Sequence, residues 1–249
     1  MSLLAQAVAA VRQNPSAFLV YLGITVAVTL VQVLSGGLIG KPSSEDLDEN
    51  LWLRAYAFIN YLATAAAYAA ASSIGFARLG KEIDRPLWKI SGDWDALRRF
   101  FVLWFFLILT LIATSRLLEW TAGPSPESPP SAFPLLLYFV FAAALVPFGA
   151  CVMFYGTLDW TKLGEILAPL KRQFAAAFGA FLFAGFQSFY VFLLSGLAEL
   201  GKEADAFRWY LIPIEVIDAA CTFIVFAWTW LICIADRNQG GERDVDFFS

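Results

Sequence analysis

Six long apolar stretches, at residues 17–39, 53–79, 100–120, 133–158, 174–200 and 209–235, are separated by short segments that hold nearly all of the charge. The hydrocarbon core of a bilayer is about 30 Å thick, and a helix crosses it with roughly 20 apolar residues. Each stretch reaches that length. Helices this apolar expose apolar side chains on every face, and a chain of 249 residues cannot bury all of them against one another. Hydrophobic residues make up 59% of the chain, charged ones 15%, and the mean hydropathy is +0.66. Lipid is therefore the solvent. The sequence predicts an all-α fold: a polytopic transmembrane bundle of six helices at 17–237, preceded by an amphipathic segment at 1–16 and followed by a polar, disordered tail at 238–249.

With six spans, both termini and the second and fourth connections share one side. That side carries Arg12, Arg78, Lys81, Arg85, Lys89, Arg98, Arg99, Lys162, Lys171, Arg172, Arg237 and Arg243, twelve of the 17 basic residues. Lys41, Arg54, Arg116, Lys202 and Arg208 fall on the other. An excess of Lys and Arg marks the cytoplasmic side, so both termini are expected there. The first stretch is read as a retained span, because its apolar run of about 20 residues exceeds the h-region of a signal peptide.

Three segments on the basic side carry apolar stripes. Leu3, Leu4, Ala7, Val8 and Val11 share a helical face before Asn14-Pro15 breaks the register, and Leu163, Ile166, Leu167 and Leu170 share another. The second connection sets Trp88 and Trp94 among its charges, where a ring can be half apolar and half wet. All three read as short amphipathic segments in the cytoplasmic interface. Each ends with an aliphatic and a basic residue before a span (Val11-Arg12, Leu97-Arg98, Leu170-Lys171), a match that would make a unit of interfacial segment, outward span and return span recur three times, while basic residues before a span are expected in any case. The outward connections are an acidic run at 40–50, the proline-rich GPSPESPPS at 123–131 and a short stretch at 201–208. None is long enough to form a substrate-binding domain.

Small residues recur every four positions in two spans: Ala63, Ala67, Ala71 and Gly75, then Ala175 with Gly179 and Ala180 with Ala184. Such spacing lets helix backbones approach closely in lipid, and a groove for a lipid tail would read the same way. Cys151, Cys221 and Cys233 all lie in apolar spans, so they read as small buried residues and not as a disulfide framework. The chain has no histidine. That removes His-ligated haem, most catalytic zinc sites and Ser-His-Asp chemistry.

Ionisable groups inside spans are costly and point to function by default. Arg116 and Glu119 stand late in the third span, Glu215 and Asp218 early in the sixth. Counting from Arg99 and Asp236 puts Arg116 and Asp218 about 26 Å, and Glu215 about 31 Å, from the cytoplasmic boundary. At that matched depth Arg116 is expected to form an intramembrane ion pair with Glu215 or Asp218, which share a face at i and i+3. The mid-span Gln32, Asn60 and Gln187 read as interhelical hydrogen-bonding groups. Phosphate-loop, nucleophile-elbow and zinc-protease motifs are missing. Asp93 and Asp95 suit the first turn of a helix, and with Asp159 they offer no more than the outline of a metal site. No catalytic residue, metal or cofactor is expected.

The text from Gly75 through Arg78, Leu79, Gly80 and Lys81 to Leu87, Trp88, Trp94, Arg98, Arg99 and Phe100 has a cadence of span, basic turn, amphipathic segment and next span. In this pattern it resembles bacterial six-span proteins that include the membrane domain of some glycerophosphodiester phosphodiesterases and its stand-alone relatives. The phosphodiesterase domain itself is absent. The resemblance implies a multi-pass protein of the cell inner (plasma) membrane and carries no activity with it. The expected function is that of a non-enzymatic inner-membrane component that organises the bilayer or meets a lipid or protein partner. Arg85, Trp88, Lys89, Trp94, Arg98 and Arg99 form its candidate surface for anionic headgroups or a membrane or cytoplasmic partner. Nucleic acid is not expected. The alternative is a permease subunit of an ABC-2-type exporter, served by a separate ATPase through a cytoplasmic coupling helix.

Overall fold

A computed structural model describes residues 2–39, 51–83, 90–121, 132–156, 160–200 and 211–240. Among them the backbone is helical almost throughout, and none forms a strand. The helices are α1 (Leu3–Gln13), α2 (Pro15–Ile39), α3 (Leu51–Ile83), α4 (Asp93–Thr121), α5 (Ala132–Tyr155), α6 (Leu163–Ile166), α7 (Ala168–Arg172), α8 (Phe174–Leu200) and α9 (Leu211–Gly240). A 3-10 turn at Trp160–Lys162 precedes α6. Five of them, α3, α4, α5, α8 and α9, are long and apolar enough to cross a membrane, and the count is six if α1 and α2 form one broken span. This is the make-up of a multi-pass membrane protein. The acidic and proline-rich connections, residues 84–89 and residues 241–249 lie outside the described residues, while 238–240 of the expected tail continue α9.

The break between α1 and α2 has a local cause. Ser2 Oγ accepts the Ala5 N–H at 3.3 Å and caps α1, and Asn14 Nδ2 donates back to the Ala10 carbonyl at 2.9 Å. Pro15 opens α2, where a missing N–H costs nothing. The two axes turn by 78° there, and α1 folds across the base of the bundle onto α9. Its Ala7 is fully buried, and Val11 packs on the core. The α6–α7 segment is similar: Ile166 is buried, with Leu167 and Leu170 against the core. Part of each apolar stripe thus meets protein, because the helix ends leave gaps at the base that aliphatic side chains fill.

The six long helices close a ring in the order α9, α2, α3, α4, α5, α8 and back to α9, each packed against the next. Around the outside, Leu19, Phe58, Phe106, Val140, Leu182 and Ile217 are exposed. A surface this apolar would aggregate in water and suits a lipid environment.

At the end where α1 lies, charges tie the helices together. Arg78 of α3 grips Asp93 of α4 through both carboxylate oxygens, with Nε at 2.8 Å from Oδ1. Asp93 opens its helix, where a negative charge also suits the helix dipole. The Arg99 guanidinium donates twice to the Gly156 carbonyl, at 2.8 and 3.2 Å, just past α5. Gly156 has φ 67°, the left-handed conformation in which glycine commonly ends a helix. Arg172 donates to the buried Asp236 at 3.1 Å, and Gln173 to Gln239 at 2.8 Å.

Above these ties sits an aromatic core with Phe76 as its hub. The Phe76 ring stacks on Phe226 with centroids 4.4 Å apart, and meets Trp104 at 4.9 Å, Phe223 at 5.2 Å and Tyr21 at 5.5 Å. Trp230 extends the stack from Phe226 and meets Phe154 edge-on. Trp104 Nε1 donates to the Met153 sulfur at 3.1 Å, joining α4 to α5. Two glycines make room for the indoles. A Cβ on Gly149 would collide with the Trp104 ring, and one on Gly80 would stand 2.7 Å from the Trp230 ring.

Candidate functional site

The aromatic core stops partway along the bundle, and a cavity of about 340 Å³ opens beyond it, lined by residues of all six ring helices. Two helix faces explain its position. On α3, Thr64, Tyr68, Ser72, Phe76 and Gly80 follow one another at i+4, and so do Asp218, Thr222, Phe226 and Trp230 on α9. Residues at that spacing form one continuous row winding along a helix. The helices run parallel, with Gly80 against Trp230, Phe76 against Phe226, and Tyr68 against Glu215. Both faces change from aromatic to polar at the same depth. Aromatic side chains fill the gap between α3 and α9 on one side of that level, and short polar ones leave it open on the other.

Tyr21, Phe76 and Trp104 form the floor of the cavity. Thr64, Tyr68, Tyr138, Gln187, Ser188, Asp218 and Thr222 supply its polar wall; Ile108, Leu111, Ile112, Leu145 and Val146 supply an apolar one from α4 and α5. Pro147 lies buried beside that apolar wall in α5, where it removes one rung of the helix hydrogen-bond ladder.

The polar side chains are organised across helices. Gln187 Nε2 of α8 donates to Asp218 Oδ1 at 2.8 Å, to the Asp218 carbonyl at 3.1 Å and to Thr222 Oγ1 at 2.8 Å. Gln187 thus makes the interhelical hydrogen bond expected of a mid-span amide. Tyr68 Oη of α3 donates to Glu215 Oε2 at 3.1 Å. Thr25 and Thr29 of α2 face the same carboxylate. Ser188 and Thr64 turn their hydroxyls to backbone carbonyls one turn back, the usual way a helix in lipid satisfies a hydroxyl.

The structure distributes the sequence-predicted residues differently from the expected ion pair. The Arg116 guanidinium lies over the Tyr61 ring, 4.4 Å from its centroid, in a cation–π contact between α4 and α3. Glu215 goes to Tyr68 and Asp218 to Gln187, and no described contact joins Arg116 to either. The side chains of Glu119 and Gln32 lie outside the described residues. Of the residues of the expected cytoplasmic surface, Arg85, Trp88 and Lys89 also lie outside them. Trp94 is 68% exposed at the start of α4, beside an exposed Arg98. Arg99 is engaged at Gly156 and serves the fold. Cys151 and Cys233 are buried with their sulfurs 3.6 Å apart, and both are free thiols, as is Cys221.

Small residues also pack largely as α-helical stripes should. Ala71 and Gly75 are buried, with Gly75 against Tyr21 and Phe223, whereas Ala63 faces outward. Ala177, Ala180 and Ala184 are buried along α8. A second, wholly apolar hollow on the outside, between α5 and α8, is lined by Phe139, Ala143, Phe181, Gly185, Phe186 and Phe189.

The cavity residues Tyr21, Tyr68, Ser72, Tyr138 and Thr222 are missed by a reading that looks only for charge. For Tyr68, Ser72 and Thr222 the signal was the i+4 run of polar residues continuing into an i+4 run of aromatics on α3 and α9. The chain matches no known protein-family profile, and neither curated proteins nor solved structures include a significant match.

Proposed function

We propose that the protein is a non-enzymatic inner-membrane protein of six spans, with both termini cytoplasmic, that admits a small polar solute to its central cavity as the binding part of a permease. The observation that carries this reading is the cavity itself. Six helices surround it, and hydroxyls, an amide and a carboxylate converge on a volume within the roughly 300–1,000 Å³ of small-molecule sites. An aromatic floor and the tied helix ends below it close the cytoplasmic side. A bundle that only organised lipid would gain nothing from polar groups held at this depth. A permease subunit driven by a separate ATPase is one form of this reading.

Thiol accessibility tests it. In a variant with Cys151, Cys221 and Cys233 replaced, cysteines at Ser188 and Thr222 should react with a small water-soluble methanethiosulfonate added outside intact cells. A cysteine at Phe226, beneath the floor, should not. Cysteine at Ser128 should label from outside, and cysteines at Ser2 and Ser249 only after permeabilisation. Cavity positions as inert as Phe226 would overturn the solute-binding reading, and a reversed pattern at the termini would overturn the orientation.

A second reading, a cytoplasmic surface for anionic headgroups or a protein partner, is favoured by one observation. Trp94 is largely exposed next to Arg98 at the base of the bundle. Basic residues at a membrane surface each contribute about 1 kcal/mol of attraction to anionic lipid.

A further inference from the structure

We infer that the central cavity is a site for a small amphipathic primary ammonium ion, its nitrogen held by Asp218 Oδ2 and Gln187 Oε1 and its apolar body by α4 and α5. This rests on the reading that the cavity admits a solute, and it names the chemical class.

The orientation of Gln187 is fixed by its neighbours. Its Nε2 stands 2.8 Å from Asp218 Oδ1; the flipped amide would set Oε1 against the carboxylate, acceptor against acceptor. With the amide so placed, Asp218 Oδ1 is satisfied, while no donor among the described residues reaches Asp218 Oδ2 or Gln187 Oε1. Both acceptors belong to side chains that line the cavity. Opening onto the cavity with no protein donor of their own, the two acceptors are placed to take hydrogen bonds from a guest within it.

The charge balance points the same way. The cavity lining includes Asp218 and contains no lysine or arginine. Glu215 adds a second carboxylate one turn away, behind Tyr68. An anion would meet repulsion without compensating donors, and a cation would be attracted. The rings of Tyr21, Tyr68, Phe76, Trp104 and Tyr138 also face the space, and aromatic faces favour organic ammonium ions. A divalent metal is a poorer match, because the described residues gather no group of three or more Asp, Glu or Cys that could hold one. The wall of Ile108, Leu111, Leu145 and Val146 opposite Asp218 accepts an apolar body and leaves a purely polar amine partly unsatisfied.

The test is calorimetric titration of the full chain, in nanodiscs of zwitterionic lipid at neutral pH, with three ligands of one shape: 2-phenylethylamine, 2-phenylethanol and phenylacetate. The amine should bind, the alcohol about tenfold or more weakly, and phenylacetate not measurably, since a hydrogen bond to a charged group contributes about 1.5–3 kcal/mol. Asp218→Asn keeps the shape and should bring the amine down to the affinity of the alcohol. Leu111→Trp, which fills the apolar wall without touching the carboxylate, should abolish binding of both and keeps the test decisive if Asp218→Asn does not fold. Equal binding of amine and alcohol, or an amine affinity indifferent to Asp218→Asn, would overturn the ammonium assignment and leave the solute site standing. Tightest binding of phenylacetate would do the same. Binding of none of the three would also defeat the assignment, and thiol accessibility at Ser188 and Thr222 would then decide separately whether the cavity takes any solute.

Discussion

The same six helices build two unlike halves. In the half near α1, aromatic rings from four ring helices interlock around Phe76, glycines admit the indoles, and the Arg78–Asp93 and Arg172–Asp236 ion pairs bridge helices. In the far half, α3, α8 and α9 turn polar side chains inward against an apolar wall from α4 and α5, and a cavity of about 340 Å³ remains between them. The difference does not lie in hydrophobicity, since lipid offers no drive to bury one apolar group over another. It lies in shape. Rings and glycines give the close contact that holds helices together in a bilayer, and hydroxyls with carboxylates hold them apart around a space that something else must fill. Stability is thus expected to reside in one half, and binding in the other.

The hardest test of that division is Phe76→Ala. The ring is fully buried and touches four others, so its removal should cost about 3–5 kcal/mol, the range for deleting a large core aromatic. The expected observation is a large fall in thermal midpoint in detergent. The same change removes part of the cavity floor, so a cysteine at Phe226 should become reactive toward the water-soluble thiol reagent. A variant as stable as the parent would show that the aromatic half is not what holds the ring together.

Gly80→Ala probes the same half more gently. The new methyl would meet the rigid Trp230 ring, itself wedged between Phe226 and Phe154, and should cost about 1–3 kcal/mol through overpacking. Replacing Trp230 with Leu should relieve most of that specific penalty in a double-mutant cycle. Simple additivity would mean the glycine is not there for the indole.

Much of this architecture was legible in advance. The apolar stretches announced the long helices, and Asn14-Pro15 announced the break between α1 and α2, because chain length and a missing N–H act locally. The cavity was hidden for a different reason. Counting depth along a single helix places Glu215 and Asp218 near an outer boundary, and charge matching then turns them toward Arg116. Partner choice depends instead on which faces meet, and that is set by ring order. α3 and α9 flank α2 and meet on the inside of the ring, so Tyr68 reaches Glu215, and α8 lies beside α9, so Gln187 reaches Asp218. Arg116 sits on α4, which borders α3, and it finds Tyr61 there. The i+4 faces of α3 and α9 carried the missing information. Each looks ordinary alone, and only their parallel pairing shows that both turn polar at one level.

The smallest expected effect belongs to the polar half. Tyr68→Phe deletes the hydroxyl that donates to Glu215 and leaves the ring in the cavity wall. Interhelical hydrogen bonds in membrane proteins average about 0.6 kcal/mol, because the groups find other partners when the bond is broken. Here water in the cavity can replace the tyrosine at Glu215, which should hold the cost near that value. The thermal midpoint should therefore shift several-fold less than for Gly80→Ala, although both changes sit on the same i+4 row of α3. A loss as large as that of Phe76→Ala would mean the polar side chains are structural after all. The contrast between a binding half and a holding half would then fail.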